Sequence, residues 1–370
     1  MSILDNLGKI KELDPSGMYD AIVDFPNQIR DAIKIWEQAK IDPEDFPDID
    51  KIDNIVICGM GGSAIGGDLA IAVLGEYPKI PIIVSRDYNL PYFARDKTVV
   101  IVSSYSGNTE ETLTAMYQAV SRKCKVFAIT TGGAIGEFAK RKNIPILSPK
   151  EDIQPRAALG YSFGLLVMLL YNLIVSRLQP SDLENLASFL GIQAKSYLID
   201  KLLKDNNCKQ WAEKLYNKIP VIYSNTNFTS AAAIRFKGQL SENAKVLSFV
   251  NQFPECNHNE IVGWERIELI KDKIIAVLLR DRSDYTSSDE LINSRIMIKS
   301  RMNIVKEMIE AKGVEVIEIE SSGDDELQRL FSLVQIADFT SFYLAILNGV
   351  DPTPVKPIED LKRLLGGIKK

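Results

Sequence analysis

Val99-Val100-Ile101-Val102-Ser103-Ser104-Tyr105-Ser106-Gly107-Asn108-Thr109-Glu110-Glu111 decides how this chain is read. An apolar, β-branched run stops at a cluster of hydroxyls and a glycine, and a helix-like stretch begins at once. That is a strand, a turn and a helix. The first N–H groups of a helix have no internal partner, and the helix dipole leaves partial positive charge there. With Ser104, Ser106 and Thr109 as hydroxyl donors and Gly107 for close approach, the turn suits a phosphate monoester. It lacks the lysine of a GxxxxGK[ST] loop, so it does not read as a nucleoside-triphosphate site. The same residues also fit plain helix capping, with a hydroxyl as N-cap and Glu110 completing the arrangement.

The pattern repeats outward. Ile55 to Cys58 is a short apolar run that ends in Gly59-Met60-Gly61-Gly62-Ser63 and leads into a small-residue helix. Ile80 to Val84, Val126 to Thr130 and Ile144 to Leu147 read as further strands. Met18 to Lys40, ahead of them, carries apolar residues at helical spacing. Lys204 to Gln210 is polar and reads as a linker or helix end. The alternation then restarts. A strand at Ile219 to Tyr223 runs through Ser224-Asn225-Thr226-Asn227 into a helix over Ala231 to Lys245. Ile274 to Leu279, a helix over Glu290 to Ala311, Val314 to Ile319 and a helix over Leu327 to Asn348 follow. Near-continuous apolar strands between helices imply parallel sheets covered on both faces. The expected fold is α/β, with two similar doubly wound domains. Residues 1–47 form a helical lead, 48–200 a first domain, 201–348 a second, and 349–370 a tail with three prolines before a basic helix.

Composition narrows the function. The 370 residues are 46% apolar and 25% charged, with a net charge of -5, ordinary for a globular protein. An acidic chain without a basic stripe argues against nonspecific nucleic-acid binding. Met1 to Asp14 carries charges where a signal peptide needs an apolar core. The most apolar run, Leu165 to Val175, is about half the roughly 20 residues a spanning helix needs. The uncharged stretch around it, Ala157 to Ser176, is broken by Gly160, Ser162, Gly164 and Asn172, and no second such stretch is expected. A buried helix, no membrane span and a cytoplasmic location follow as expectations. Cys58, Cys124, Cys208 and Cys256 form no CxxC pair and read as reduced thiols. His258 is the single histidine, which excludes metal sites needing two or three imidazoles.

Gly59-Met60-Gly61-Gly62-Ser63-Ala64 also matches the relaxed dinucleotide fingerprint, and Asp87 lies where a ribose-binding acid would sit. A nicotinamide-dependent oxidoreductase is therefore an open alternative. The Ser104–Thr109 turn fits a small phosphorylated metabolite better than a dinucleotide. Ligands of such sheets sit at the carboxyl ends of strands where strand order reverses, and two turns at one edge can frame one ligand.

Gly61-Gly62-Ser63 and Ser104-Tyr105-Ser106-Gly107-Asn108-Thr109 resemble the sugar-binding and phosphate-binding turns of SIS (sugar isomerase) domains, which are flavodoxin-like. Pro254-Glu255-Cys256-Asn257-His258-Asn259-Glu260 and the tail Val355-Lys356-Pro357-Ile358-Glu359-Asp360-Leu361-Lys362 resemble more narrowly the bifunctional phosphoglucose/phosphomannose isomerases. The resemblance spans nearly the whole chain. It implies interconversion of glucose 6-phosphate, and of mannose 6-phosphate, with fructose 6-phosphate. It assigns the phosphate to Ser104, Ser106 and Thr109, and sugar contacts to Gly62 and Ser63. Arg156, in Gln154-Pro155-Arg156-Ala157, would stand beside the reacting carbons. Glu242, in Gln239-Leu240-Ser241-Glu242-Asn243, would be the proton-transfer base. His258 would open the ring from the partner subunit of a homodimer, and Lys356 would help at the ring oxygen.

These residue types suit the chemistry. One carboxylate can move a proton between C1 and C2 through an enediol(ate). Arg stabilises the developing negative charge without titrating. Histidine, with an unperturbed pKa near 6.5, suits ring opening near neutrality. No metal or redox cofactor is needed. Each residue also has a plainer reading: Glu242 as a solvated helix residue, Arg156 in a structural ion pair, Lys356 as surface charge and His258 as a hydrogen-bonded structural imidazole. Cys256 and His258 would share a face of an extended segment, as a nucleophile pair does, but no third orienting group is evident. A noncatalytic sugar-phosphate regulator on the same domains is a further alternative. It would normally carry an effector module, and the short amino-terminal lead leaves little room for one.

Overall fold

The computed structural model describes every residue except 1, 40, 76, 152, 174, 227, 286–291 and 369–370. A helical lead, α1 (Leu7–Leu13), α2 (Met18–Val23) and α3 (Phe25–Gln38), precedes the first sheet. The helix expected over Met18 to Lys40 is thus two, broken at Asp24. The next elements are β1 (Asn54–Cys58), α4 (Gly61–Leu74), β2 (Ile82–Ser85), β3 (Thr98–Ser103), α5 (Glu110–Ser121), β4 (Lys125–Ile129), α6 (Gly133–Arg141) and β5 (Ile146–Leu147). Helices α7 (Leu159–Asn172), α8 (Pro180–Ala194) and α9 (Asn207–Leu215) lead to β6 (Ile219–Asn225), α10 (Ser230–Glu242), β7 (Phe249–Phe253), β8 (Ile274–Arg280), α11 (Ile292–Ala311) and β9 (Val316–Glu320). The long α12 (Glu326–Leu347) and the tail helix α13 (Lys356–Ile368) close the chain.

Both sheets are wholly parallel, in the order β2-β1-β3-β4-β5 and β7-β6-β8-β9. The expected doubly wound α/β architecture is what the chain adopts. Strand order reverses between β1 and β3 in the first sheet and between β6 and β8 in the second. Every residue of β3 is buried, as a strand covered on both faces must be. Alternate side chains divide between two cores. Ile55 and Ile57 of β1 join a core that also takes in Ile222 of β6, Ile275 of β8 and most of α7 and α12. Val56 and Cys58 face a smaller outer core with Val100, Val102 and Met116. Tyr223, Phe253 and Trp264 belong to the outer core of the second sheet. The inner core is therefore continuous from one sheet to the other, with α12 running through it.

One expectation needs correction, one strand goes beyond those expected, and one pair of alternatives is settled. Strand β7 was not foreseen: its residues Phe249-Val250-Asn251-Gln252-Phe253 lie on a sheet edge, mostly half-exposed, and lack a contiguous apolar run. A second long apolar stretch does exist, in α12, which by length and composition alone would suffice to cross a membrane but is 94% buried within the protein. Scattered Ser, Thr and Gln and the charge of Asp338 in mid-helix mask it in the sequence. Of the two readings of Lys204 to Gln210, the helix end is the one the structure bears out. The Asn206 side chain caps α9, and Lys209 is fully buried, its Nζ donating to the carbonyls of Leu4, Ile199 and Lys201. Caged by carbonyls, the ammonium keeps its hydrogen bonds out of water.

Candidate active site

Two strand-to-helix turns lie side by side at the carboxyl edge of the first sheet. Gly61 opens the first with φ +49°, a conformation glycine adopts without strain. At Gly62 a Cβ would stand 2.9 Å from the Pro155 carbonyl oxygen and 3.2 Å from the Arg156 Cα. Its missing side chain thus lets the Pro155–Ala157 turn, and Arg156 with it, close on α4. Ser63 is buried, and its Oγ accepts from the Tyr105 N–H at 3.3 Å, which stitches the first turn to the second.

In the second turn the Ser104 N–H donates to the Ile129 carbonyl at 3.0 Å, extending the ladder one residue past β3. Ser104 Oγ donates to Thr109 Oγ1 at 3.0 Å, and Ser106 Oγ accepts from the Asn108 N–H at 3.4 Å. Gly107 has φ +67°, and a Cβ there would lie 1.8 Å from the Gly132 carbonyl oxygen. Thr109 occupies the N-cap of α5, yet its side chain makes no capping hydrogen bond. Its hydroxyl pairs with Ser104 instead of satisfying the helix end.

Arg156 is buried and multiply held. Its Nε donates to Asn243 Oδ1 at 2.7 Å, and one terminal nitrogen donates to the carbonyls of Pro352 and Thr353 at 2.7 and 2.8 Å. The other lies 3.5 Å from Glu242 Oε2. Burial lowers the pKa of this guanidinium, while the Glu242 carboxylate opposes the shift. Helix α12 supports the arrangement from behind. Asp338 accepts both hydrogen bonds of the Arg235 fork, at 2.9 and 2.7 Å, and one from Gln239 at 2.8 Å. Arg235 in turn donates to the Arg156 carbonyl at 3.0 Å, and Asn243 donates to Ser341 Oγ at 3.0 Å. The arginine is thus gripped at its backbone and at its side chain by residues anchored on one helix.

A cleft of about 240 Å³ opens here, walled among others by Gly61, Gly62, Arg86, Arg156, Lys237 and Glu242. It lies where α10 of the second domain faces the first turn of the first domain. Arginine and lysine side chains predominate around one carboxylate. Such a wall suits an anionic polyol.

The structure brings Gly62, Arg156 and Glu242 together, and Ser63 joins them to the hydroxyl turn. It does not bring His258 or Lys356 to the walls of this cleft. His258 ends the short 3-10 turn Glu255–His258 and is exposed, as is Lys356 at the start of α13. Cys256 is buried, and burial pushes its thiol up to about 12. It has no thiolate to offer near neutrality, which disfavours a Cys–His nucleophile. Glu260 accepts from the Tyr223 hydroxyl and from Asn251 Nδ2, the latter at 2.7 Å. Asp87 spends its carboxylate on the Asn89 N–H at 3.1 Å, in an exposed loop. Among the described residues no cluster of three or more His, Cys, Asp or Glu is placed to hold a metal ion.

Comparison with known proteins gives the family. Residues 204–365 match the family model of the bacterial phospho-glucose isomerase C-terminal SIS domain. The bifunctional phosphoglucose/phosphomannose isomerase of Caldicellulosiruptor bescii is 40% identical over 95% of this chain and 100% of its own length. This chain belongs to the bifunctional phosphoglucose/phosphomannose isomerase family. The family's enzyme from Aquifex aeolicus is 35% identical over 94% of this chain and 98% of its own length. The solved C-terminal domain of glucosamine-fructose-6-phosphate aminotransferase from Francisella tularensis superposes with a TM-score of 0.70, covering 91% of this chain and 98% of that one. At 16% identity that likeness speaks for the shared fold alone. Membership of the isomerase family overturns the dinucleotide reading of Gly59–Ala64. Of the glycines there, Gly62 packs against Pro155 and Arg156, Gly59 lies against the Ser103 carbonyl, and Gly61 takes the left-handed turn.

Sequence reasoning missed Lys245, Arg235 and Asp338 around Arg156 and Glu242, and gave no role to Gln239 and Asn243. Their signal was available only in part. Gln239 and Asn243 sit within the motif that carries Glu242, but Asp338 lies about 100 residues away and meets them only through packing.

Proposed function

We propose that this chain interconverts glucose 6-phosphate, and mannose 6-phosphate, with fructose 6-phosphate through an enediol(ate). The observation that carries the reading is the pairing of one carboxylate, Glu242, with one buried guanidinium, Arg156, 3.5 Å apart on a cleft walled by Gly62. Glu242 takes the C2 proton of the aldose and returns it at C1. Arg156 stabilises the charge that develops on the oxygens. Its fixed donors mean that little reorganisation is needed as that charge grows. Ser104, Ser106 and Thr109 bind the phosphate, and Gly62 and Ser63 contact the sugar.

Ring opening falls to His258 and Lys356. In one chain His258 stands exposed and away from the cleft walls, which supports its donation to the site of a second copy in a homodimer. Use of both epimers requires the enediol to rotate so that either face meets Glu242.

The test is turnover of both aldose phosphates by the purified protein in excess EDTA, with Glu242→Gln alongside. The parent should turn over without any added cofactor. Glu242→Gln should keep substrate KM while kcat falls by about 10²–10⁴, the loss typical of a missing general base. Exchange of the C2 proton with solvent should fall in parallel. Binding without turnover would favour a sugar-phosphate regulator, and a variant within a few-fold of the parent would move the proton transfer to another residue.

A further inference from the structure

Lys245 lies just past the end of α10, three residues beyond Glu242, and outside the cleft walls. Its backbone is left-handed, with φ +59°, which few residues other than glycine and asparagine adopt cheaply. That conformation turns the side chain back over the helix end. Its Nζ donates to the Glu242 carbonyl, to the Pro352 carbonyl at 3.3 Å and to the Pro354 carbonyl at 2.7 Å. An ammonium has three donors and no acceptor, and all three are used.

The carbonyls of Pro352, Thr353 and Pro354 are bonded by residues outside the tail. Pro352 and Pro354 lack N–H groups and fix φ, so the strap from Asp351 to Val355 neither pairs as a strand nor winds as a helix. The Val355 carbonyl opens α13, but those of Pro352, Thr353 and Pro354 take donors from outside the tail. Arg156 supplies them to Pro352 and Thr353, and Lys245 to Pro352 and Pro354. The Pro352 carbonyl is thus shared between the two cations. Lys356 follows two residues after Pro354, so its Cα lies within about 7 Å of the clamped Pro354 Cα, given about 3.3–3.6 Å per residue.

We infer that Lys245 is a positioning residue that clamps the proline strap to the end of the helix carrying Glu242 and so sets where Lys356 enters the reaction. The inference rests on the reading above, in which Lys356 acts during ring opening. A lysine that merely stapled two surface segments would add stability without coupling to Lys356.

The test compares Lys245→Met, Lys356→Met and the double variant on closed-ring glucose 6-phosphate, with amide hydrogen exchange followed over residues 351–360. Lys245→Met should speed exchange in the strap. It should lower kcat by about 10- to 100-fold, the scale of a group displaced by an ångström, with KM near that of the parent. The double variant should be no slower than Lys356→Met alone, as expected when one residue acts through the other. Lys245→Arg, which restores donors on a similar stem, should recover part of the loss, and it serves as the probe if Lys245→Met does not fold. Unchanged exchange in the strap overturns the clamp, and losses that multiply in the double variant overturn its link to Lys356. A Lys356→Met enzyme as fast as the parent would instead overturn the role proposed for Lys356, and strap exchange would still decide the clamp.

Discussion

Ser104 and Thr109 spend their hydroxyls on each other in the free protein, 3.0 Å apart. A phosphate entering the turn replaces that one neutral hydrogen bond with two that are charge-assisted. Each such bond contributes about 1.5–3 kcal/mol when the acceptor is charged. Ser104→Ala and Thr109→Val should therefore each raise KM by roughly 10- to 150-fold, the same energy expressed as a ratio. Inorganic phosphate should compete with substrate in the parent and lose that potency in both variants. Parental KM in both would remove the phosphate from this turn. Glu242 and Arg156 show the complementary case. The carboxylate is partly open to the cleft while the guanidinium is buried, so the mobile partner meets substrate and the fixed one holds the field.

At the level of elements, the two turns keep their shape because glycine stands where backbone meets backbone. Gly107→Ala would drive a Cβ to 1.8 Å from the Gly132 carbonyl oxygen at a φ of +67°. The turn between β3 and α5 would have to part from the turn that opens α6. The expected outcome is a loss on the order of 10²-fold in kcat/KM from misplaced hydroxyls, with the far-ultraviolet circular dichroism unchanged. Near-parental kcat/KM would show that the turn tolerates the shift. The strand, turn and helix here were legible from residues alone, because a β-branched run that breaks at Ser, Gly and Thr before a helical stretch marks them. The same logic located β1, β6 and β8. It failed at β7, an edge strand whose half-exposed Asn251 and Gln252 interrupt the apolar run. The helix over Leu327 to Asn348 was legible too, as α12, but its full burial was not, because Asp338 looks like a surface charge until Arg235 and Gln239 are seen around it. The roles of Glu242, His258 and Lys356 came from family resemblance, since a lone acid, imidazole or ammonium carries no local signature. Lys245 left no trace at all: its partners are carbonyls, which every residue has.

For the whole molecule the open question is how many chains make one site. If His258 serves a second copy, a chain lacking Glu242 and a chain lacking His258 are each inactive for different reasons. Mixing Glu242→Gln with His258→Ala protomers should then rebuild one intact site in each hybrid dimer and restore up to about half of the parental activity per hybrid, following the isologous geometry of a two-fold dimer. No recovery, with subunit exchange confirmed by mass, would mean that each chain completes its own site.

The continuous inner core has a mechanical consequence. Many two-domain enzymes close on their substrate like a jaw, about a hinge where few contacts cross. Here α12 is common to both halves, and parting them would strip it of apolar cover at about 25 cal/mol for each Å² exposed. The cleft is therefore cut into a single stiff block. Substrate has to enter past its rim, by movement of side chains, while the block keeps its dimensions. Small-angle scattering with and without saturating fructose 6-phosphate should return the same radius of gyration, and a measurable contraction would reveal a jaw after all.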